Sequence, residues 1–142
     1  MKPSDRFNNN NIILLHIPKT GGTTVKYCLL DNNIKFTELH FNNRMESWCS
    51  ILLDDIIKSD KKIIVTFRNP VECIISQAYF YQQYKHFKVP NNLQEYIKTD
   101  YLQNSQIHFL TRNKFLDKRP VTIDDYEKVL KLINREKTFC FR

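Results

Sequence analysis

The sequence predicts an α/β fold built on a largely parallel sheet. Two apolar runs carry most of that prediction: Ile12 to Ile17 and Ile63 to Phe67 are continuous enough for strands buried on both faces. Each is followed by a turn and a segment of helical period, and strands then alternate with helices to the end of the chain. At 142 residues, 42% apolar and 13% aromatic, the chain is expected to form one domain with a core of its own.

Residues 1–11, closing in four asparagines, are expected to be a disordered lead-in, with the folded domain spanning 12–142. The first strand has one polar break, at His16. A helix follows from about Gly22 to Leu30, and Asp31-Asn32-Asn33 stops it. Ile34 to His40 alternates and reads as a second, shorter strand. Trp48, Ile51, Leu52 and Ile56 fall at helical spacing, predicting one helix over Glu46 to Lys58. The second strong strand ends on a start signal: Asn69 as cap, Pro70 at the first helical position, and Glu72 completing a capping box. Val71, Ile74, Ile75, Ala78 and Tyr79 continue that helix as an apolar stripe. Asn91 to Lys98 and Asn104 to Thr111 are expected to be short helices. Thr122, with Asp125 three residues on, caps a clearer helix through Ile123, Tyr126, Val129, Leu130 and Ile133. Thr138 to Arg142 reads as a strand that begins where the chain stops, the mark of a C-terminally short domain.

The chain has only two glycines, adjacent, in His16-Ile17-Pro18-Lys19-Thr20-Gly21-Gly22-Thr23-Thr24. They lie between the first strand and the first helix. A strand, a glycine turn and a helix N-terminus form an anion site, because the free amides of the first turn and the positive end of the helix dipole converge there. Lys19 adds a charge, and Thr20, Thr23 and Thr24 add hydroxyls. The chemistry implied is recognition of a phosphate-like group.

A net charge of +7, from 22 basic and 15 acidic residues, favours an anionic partner without separating nucleic acid, anionic glycan, phosphorylated cofactor or a solvated surface. No apolar stretch approaches the ~20 residues of a membrane span. The N-terminus lacks the apolar core of a secretion signal, which permits a cytoplasmic or viral setting. Cys28, Cys49, Cys73 and Cys140 show no metal or redox spacing and are expected to be buried free thiols.

Two common nucleotide loops are excluded. A Walker A loop carries its lysine after the glycines, whereas Lys19 precedes them, and the G-x-G-x-x-G dinucleotide fingerprint is absent. The segment from His16 to Thr24 instead resembles the 5′-phosphosulfate loop of sulfotransferases that use 3′-phosphoadenosine 5′-phosphosulfate. It is most similar to the carbohydrate branch that includes the heparan sulfate 2-O- and 6-O-sulfotransferases. Phe67-Arg68-Asn69-Pro70-Val71-Glu72-Cys73-Ile74-Ile75-Ser76 resembles that family's 3′-phosphate motif, R-[DN]-P-x-x-R-x-x-S, with Cys73 where an arginine is common. Asn104-Ser105-Gln106 with Leu110 resembles the family's N-x-Q…L segment.

The resemblance implies a P-loop-like three-layer fold and transfer of a sulfuryl group to a hydroxyl, on a carbohydrate, with no metal and no nucleic-acid partner. It implies that Lys19 stabilises charge on the oxygen bridging phosphate and sulfate. Thr20, Gly21, Gly22, Thr23 and Thr24 are then expected to hold the 5′-phosphosulfate, and Arg68 and Ser76 the 3′-phosphate. Both sites follow strand C-termini, where an open α/β sheet places its ligands. The acceptor hydroxyl needs a base, and His40, ending the second strand, is the expected one. Glu38 and Glu46 are its runners-up, His16 is expected to be packed, and His86 and His108 lack a comparable context. The family's members close a further C-terminal segment over the nucleotide. The residues therefore leave a second class open, a truncated, non-catalytic module that binds a nucleotide or an anionic glycan. A small-molecule kinase is disfavoured by the position of Lys19 and by the lack of a Mg²⁺-binding Asp after the second strong strand.

Overall fold

β1 (Ile12–Leu15) lies inside a four-stranded sheet, between β2 (Thr37–Leu39) and β3 (Lys62–Thr66), and β3 carries β4 (Thr138–Phe141) on its other side. Every pairing is parallel, with Leu15 opposite both Leu39 and Val65. These facts come from a computed structural model that describes residue 7 and residues 9–84, 88–99, 102–112 and 118–142. Parallel strands need crossovers, and helices supply them. α1 (Gly22–Asp31) joins β1 to β2, and α2 (Trp48–Ile51) and α3 (Leu53–Lys58) join β2 to β3. α4 (Pro70–Gln82), α5 (Leu93–Lys98), α6 (Ser105–Thr111) and α7 (Ile123–Ile133) fill the long return from β3 to β4.

Strand side chains alternate between faces, and the burial follows that period. Ile13, Leu15, Ile63 and Val65 join one core with Leu53, Ile56, Leu110 and Leu132 from α3, α6 and α7. Leu14 points to the opposite face and is also fully buried, so the sheet is covered on both sides. Tyr81 and Ala78 of α4 pack with Tyr96 of α5 in a second, smaller cluster. The architecture is the expected α/β one: a parallel sheet flanked by helices.

Local signals explain most helix ends. Asn33 takes a left-handed φ of 55°, and the amides of Asn33 and Ile34 bond back to the carbonyls of Leu30 and Leu29. That is a Schellman stop with Asn where glycine is usual. Asn69 caps α4 by accepting from the amides of Val71 and Glu72. The expected box is not completed, because the Glu72 carboxylate is drawn 3.2 Å from Arg68 Nε. On α7 the Thr122–Asp125 box does form, and Asp125 also pairs with Arg112 at 2.7 Å, joining the end of α6 to the start of α7.

Three expectations change: the Glu46 to Lys58 helix, the length of the second strand and the burial of the cysteines. The single helix over Glu46 to Lys58 is two, broken at Leu52, whose φ of −103° and ψ of 5° leave helical geometry. Cys49, Leu52, Leu53 and Ile56 still bury along one stripe, so periodicity is blind to the break. The second strand is shorter than Ile34 to His40, since Ile34 closes α1 instead. Of the expected lead-in, residues 1–6 and 8 lie outside the described residues, while Lys62 donates to the Asn11 carbonyl, Asn10 donates to Thr37 Oγ1, and Phe7 packs against the core. All four cysteines are free, but only Cys49 and Cys73 are buried, while Cys28 and Cys140 are exposed. Among the described residues no helix is long and apolar enough to cross a membrane.

Candidate active site

Because β1 and β3 are adjacent and parallel, the chain leaves both on the same rim of the sheet. The turn after β1 is bent by two left-handed residues, Lys19 (φ 65°) and Gly21 (φ 90°). For a residue with a Cβ, such as Lys19, that region costs about 1–2 kcal/mol, and backbone strain of this kind concentrates at ligand sites. Gly21 is the N-cap of α1 and offers no side-chain cap, while its carbonyl takes the amides of Thr24 and Val25. The first turn is therefore left for an external anion to cap. Gly22 is glycine for a different reason: a Cβ there would lie 2.3 Å from Cδ2 of His16.

The three threonines of the turn divide. Thr20 is buried, and its hydroxyl donates to the Ile17 carbonyl at 2.8 Å while sharing a 2.6 Å bond with Thr66. That hydroxyl is committed to the turn, so only the Thr20 backbone amide is left for the ligand role expected of this residue. Thr23 and Thr24 are exposed on the first turn of α1. Lys19 Nζ rests 4.6 Å from the centre of the Phe80 ring, a cation–π contact that holds the ammonium at the mouth of the site.

Arg68 stands two residues past the end of β3. Its Nη1 donates to the Lys19 carbonyl at 3.5 Å, so the two basic residues expected to face two phosphates are joined across the rim. Gln106 of α6 clamps the Arg68 backbone from the other side: its Oε1 accepts from the Arg68 amide at 2.9 Å and its Nε2 donates to the carbonyl at 2.7 Å. Sequence pattern picks out Gln106 only by family resemblance, whereas its geometry is that of a positioning residue. Replacing Gln106 with Leu removes both bonds in a nearly buried setting, at an expected loss of about 2–3 kcal/mol in urea unfolding. Cys73, in place of the family's arginine, is buried with Sγ 4.0 Å from the Pro18 carbonyl, and burial pushes its thiol up. Ser76 is half-buried on the same α4 stripe, three residues after Cys73 and four before Phe80, the two residues that touch the turn.

His40 stands just after β2. Its Nδ1 lies 2.7 Å from the His16 carbonyl, which can only accept, so Nδ1 carries the proton and Nε2 the lone pair of the neutral ring. The His16 ring stacks on it at 4.5 Å, and Phe41 and Phe109 flank it. Burial, then the charge of His16, holds the His40 imidazole below its ordinary value, with the carbonyl bond and Glu38 opposing. The neutral, proton-accepting form is thus favoured at neutral pH.

Glu38 is less suited to that role. Burial alone would raise its carboxyl, but bonds from His16 (2.5 Å) and Lys26 (2.6 Å) outweigh it and hold Glu38 below the usual carboxylate range. Glu46 is bonded to Asn42 within its own turn. His16 is packed as expected, but it also carries polar partners that the sequence did not signal. His108 is buried in α6, and His86 lies outside the described residues.

Lys19, Thr23, His40, Phe41, Phe80 and Tyr84 line one cavity of about 460 Å³. The turn's lysine and the candidate base therefore share a chamber large enough for a sugar-sized group. Arg68 and Ser76 do not line it. Among the described residues no cluster could hold a metal ion.

A family model described as the sulfotransferase domain matches residues 47–131, more than half of the chain. The matched span runs from α2 through most of α7 and includes Arg68, Ser76 and Gln106, while the glycine turn and His40 precede it. No curated protein and no solved structure matches the chain.

Proposed function

The chain belongs to the sulfotransferase domain family, and from that premise we propose that it moves a sulfuryl group from 3′-phosphoadenosine 5′-phosphosulfate to a carbohydrate hydroxyl. One observation carries the reading: Lys19, on an uncapped helix-entry turn, shares a cavity with a His40 whose Nε2 is free to accept a proton. The residues present fit the donor. The open first turn of α1, Lys19 and the Thr23 and Thr24 hydroxyls suit its 5′-phosphosulfate, and Arg68 with Ser76 suits its 3′-phosphate.

The chain's own residues then divide the work. Nε2 of His40 takes the proton of the acceptor hydroxyl, and Nδ1–H stays on the His16 carbonyl, which fixes the tautomer and steadies the ring as it becomes charged. Lys19 leaves the Phe80 ring to meet the negative charge that builds on the departing phosphate oxygen. The mechanism needs positioning and electrostatics more than covalent chemistry. The aromatic walls, Phe41, Phe80 and Tyr84, offer flat faces for a sugar ring beside the polar groups.

Two measurements test the reading. The desulfated nucleotide, 3′-phosphoadenosine 5′-phosphate, at a hundred times its Kd is expected to stabilise the chain by about 2.7 kcal/mol, seen as a rise in Tm. Labelled sulfate is expected to pass from the full donor to at least one member of a glycan panel. Stabilisation without transfer to glycans or phenols would favour a non-catalytic binding module, and no stabilisation would sink the nucleotide site.

A further inference from the structure

Beneath the glycine turn, His16 meets every part of the site on the β1–β2 side. Its Nδ1 is 2.5 Å from Glu38 Oε1, and the other oxygen of that carboxylate takes Lys26 Nζ at 2.6 Å. Its Nε2 is 3.5 Å from Thr23 Oγ1. Its ring edge fills the place of the missing Cβ of Gly22, and its face stacks on His40 at 4.5 Å with 19° between the planes. Its own carbonyl accepts from His40 Nδ1. A side chain that only filled space would not need a carboxylate, and a Phe ring of similar size would leave Glu38 with Lys26 alone.

We infer that His16, held by Glu38, is a positioning residue that registers the His40 ring against the glycine turn, so that base and anion site move as one unit. The inference rests on His40 being the base proposed above. The chain of contacts is continuous: Lys26 and Glu38 fix the angle of the His16 ring, that ring seats Gly22 on one side, and it backs His40 on the other. Among the described residues, His16, Glu38 and Lys26 act on the charge of His40, Lys19, Tyr81 and Tyr84 face it across the shared cavity, and Phe41 and Phe109 flank its ring. The carbonyl of residue 16 persists whatever its side chain. Loss of the ring therefore tests stacking and registry separately from the hydrogen bond.

The experiment is ¹⁵N NMR of the His40 imidazole in the full chain, which needs no substrate. In the unaltered protein a single neutral tautomer protonated on Nδ1 is expected. In His16→Ala, with the fold verified by circular dichroism, His40 is expected to show mixed tautomers and a titration midpoint moved up towards free imidazole. Gly22→Ala, which pushes the His16 ring aside, is expected to disturb His40 in the same direction although it does not touch it. Adding Gly22→Ala to His16→Ala is expected to change nothing further at His40. Glu38→Gln, at a partly exposed carboxylate, is expected to mix the His40 tautomers to a smaller extent, and that tautomer readout, rather than the midpoint that the Glu38 charge itself holds up, carries the decision if His16→Ala does not fold. An unchanged His40 spectrum in folded His16→Ala, or in Glu38→Gln where it alone folds, would overturn the inference, as would equal Gly22→Ala effects in both backgrounds. Sulfate transfer is measured in parallel, and kcat in His16→Ala is expected to fall ten- to a hundredfold. If His40 responds as described but the unaltered protein transfers no sulfate, the proposed reaction fails and the registry of His40 on His16 stands.

Discussion

Lys19→Ala is expected to lower the transfer rate by about 10²–10³-fold, the usual cost of losing one donor aimed at developing charge in a sheltered site. The fold should be untouched. The Arg68 contact is to the Lys19 carbonyl, which alanine keeps, and the ammonium rests on the face of Phe80. Alanine accepts the left-handed φ of 65° no worse than lysine does. Labelled-sulfate turnover, beside the Tm of the variant, separates the two effects. Turnover close to that of the unaltered protein would show that Lys19 does not bear the charge of the reaction.

His40→Gln is expected to cost about 10²–10⁴-fold in kcat, the range for removing a positioned general base. Its pH behaviour is the more discriminating readout. The fold holds the His40 imidazole below its ordinary value near 6.5, so the active neutral form persists as pH falls past that point. The acid limb of kcat/KM, which reports the ligand-free protein, is therefore expected below pH 6.5, and His40→Gln should abolish that limb while leaving a low, flat residual rate. The same shift affects stability with the same sign. The unfolded chain takes up this proton first, so the contribution of His40 is complete above about pH 6.5 and is lost as pH falls through the lowered folded value. An acid limb at or above 6.5 would contradict the buried, His16-backed geometry.

How much of this was legible in the sequence depends on the range of the interaction. β1, α1, β3 and α4 are set by patterns a few residues long: apolar runs, the Asn69-Pro70 start and the paired glycines. They were legible for that reason. The break at Leu52 was not, because a helix that bends and resumes keeps its apolar stripe. Nor were the ties at Asn10 and Asn11, since asparagine repeats read as solvated coil until a sheet edge presents itself. At the site, Lys19 and Arg68 were marked by local motifs. The hold of Gln106 on Arg68, 38 residues apart, and the Glu38–His16–His40 stack exist only once the strands are side by side. The two glycines illustrate the difference well. Gly21 answers to its own backbone angle, whereas the reason for Gly22 is the ring of His16, six residues before it and just past the end of β1.

The contact between Arg68 and the Lys19 carbonyl spans 49 positions of chain, yet it is a long bond between partly exposed groups and closes that loop only weakly. On the proposed function, a doubly phosphorylated ligand bound by both Lys19 and Arg68 would act as a removable staple across the rim. It would add stability to β1 and β3 together, because neither strand could open without breaking it. If the donor binds as proposed, occupancy and global unfolding are coupled, and its concentration would set how often the centre of the sheet comes apart.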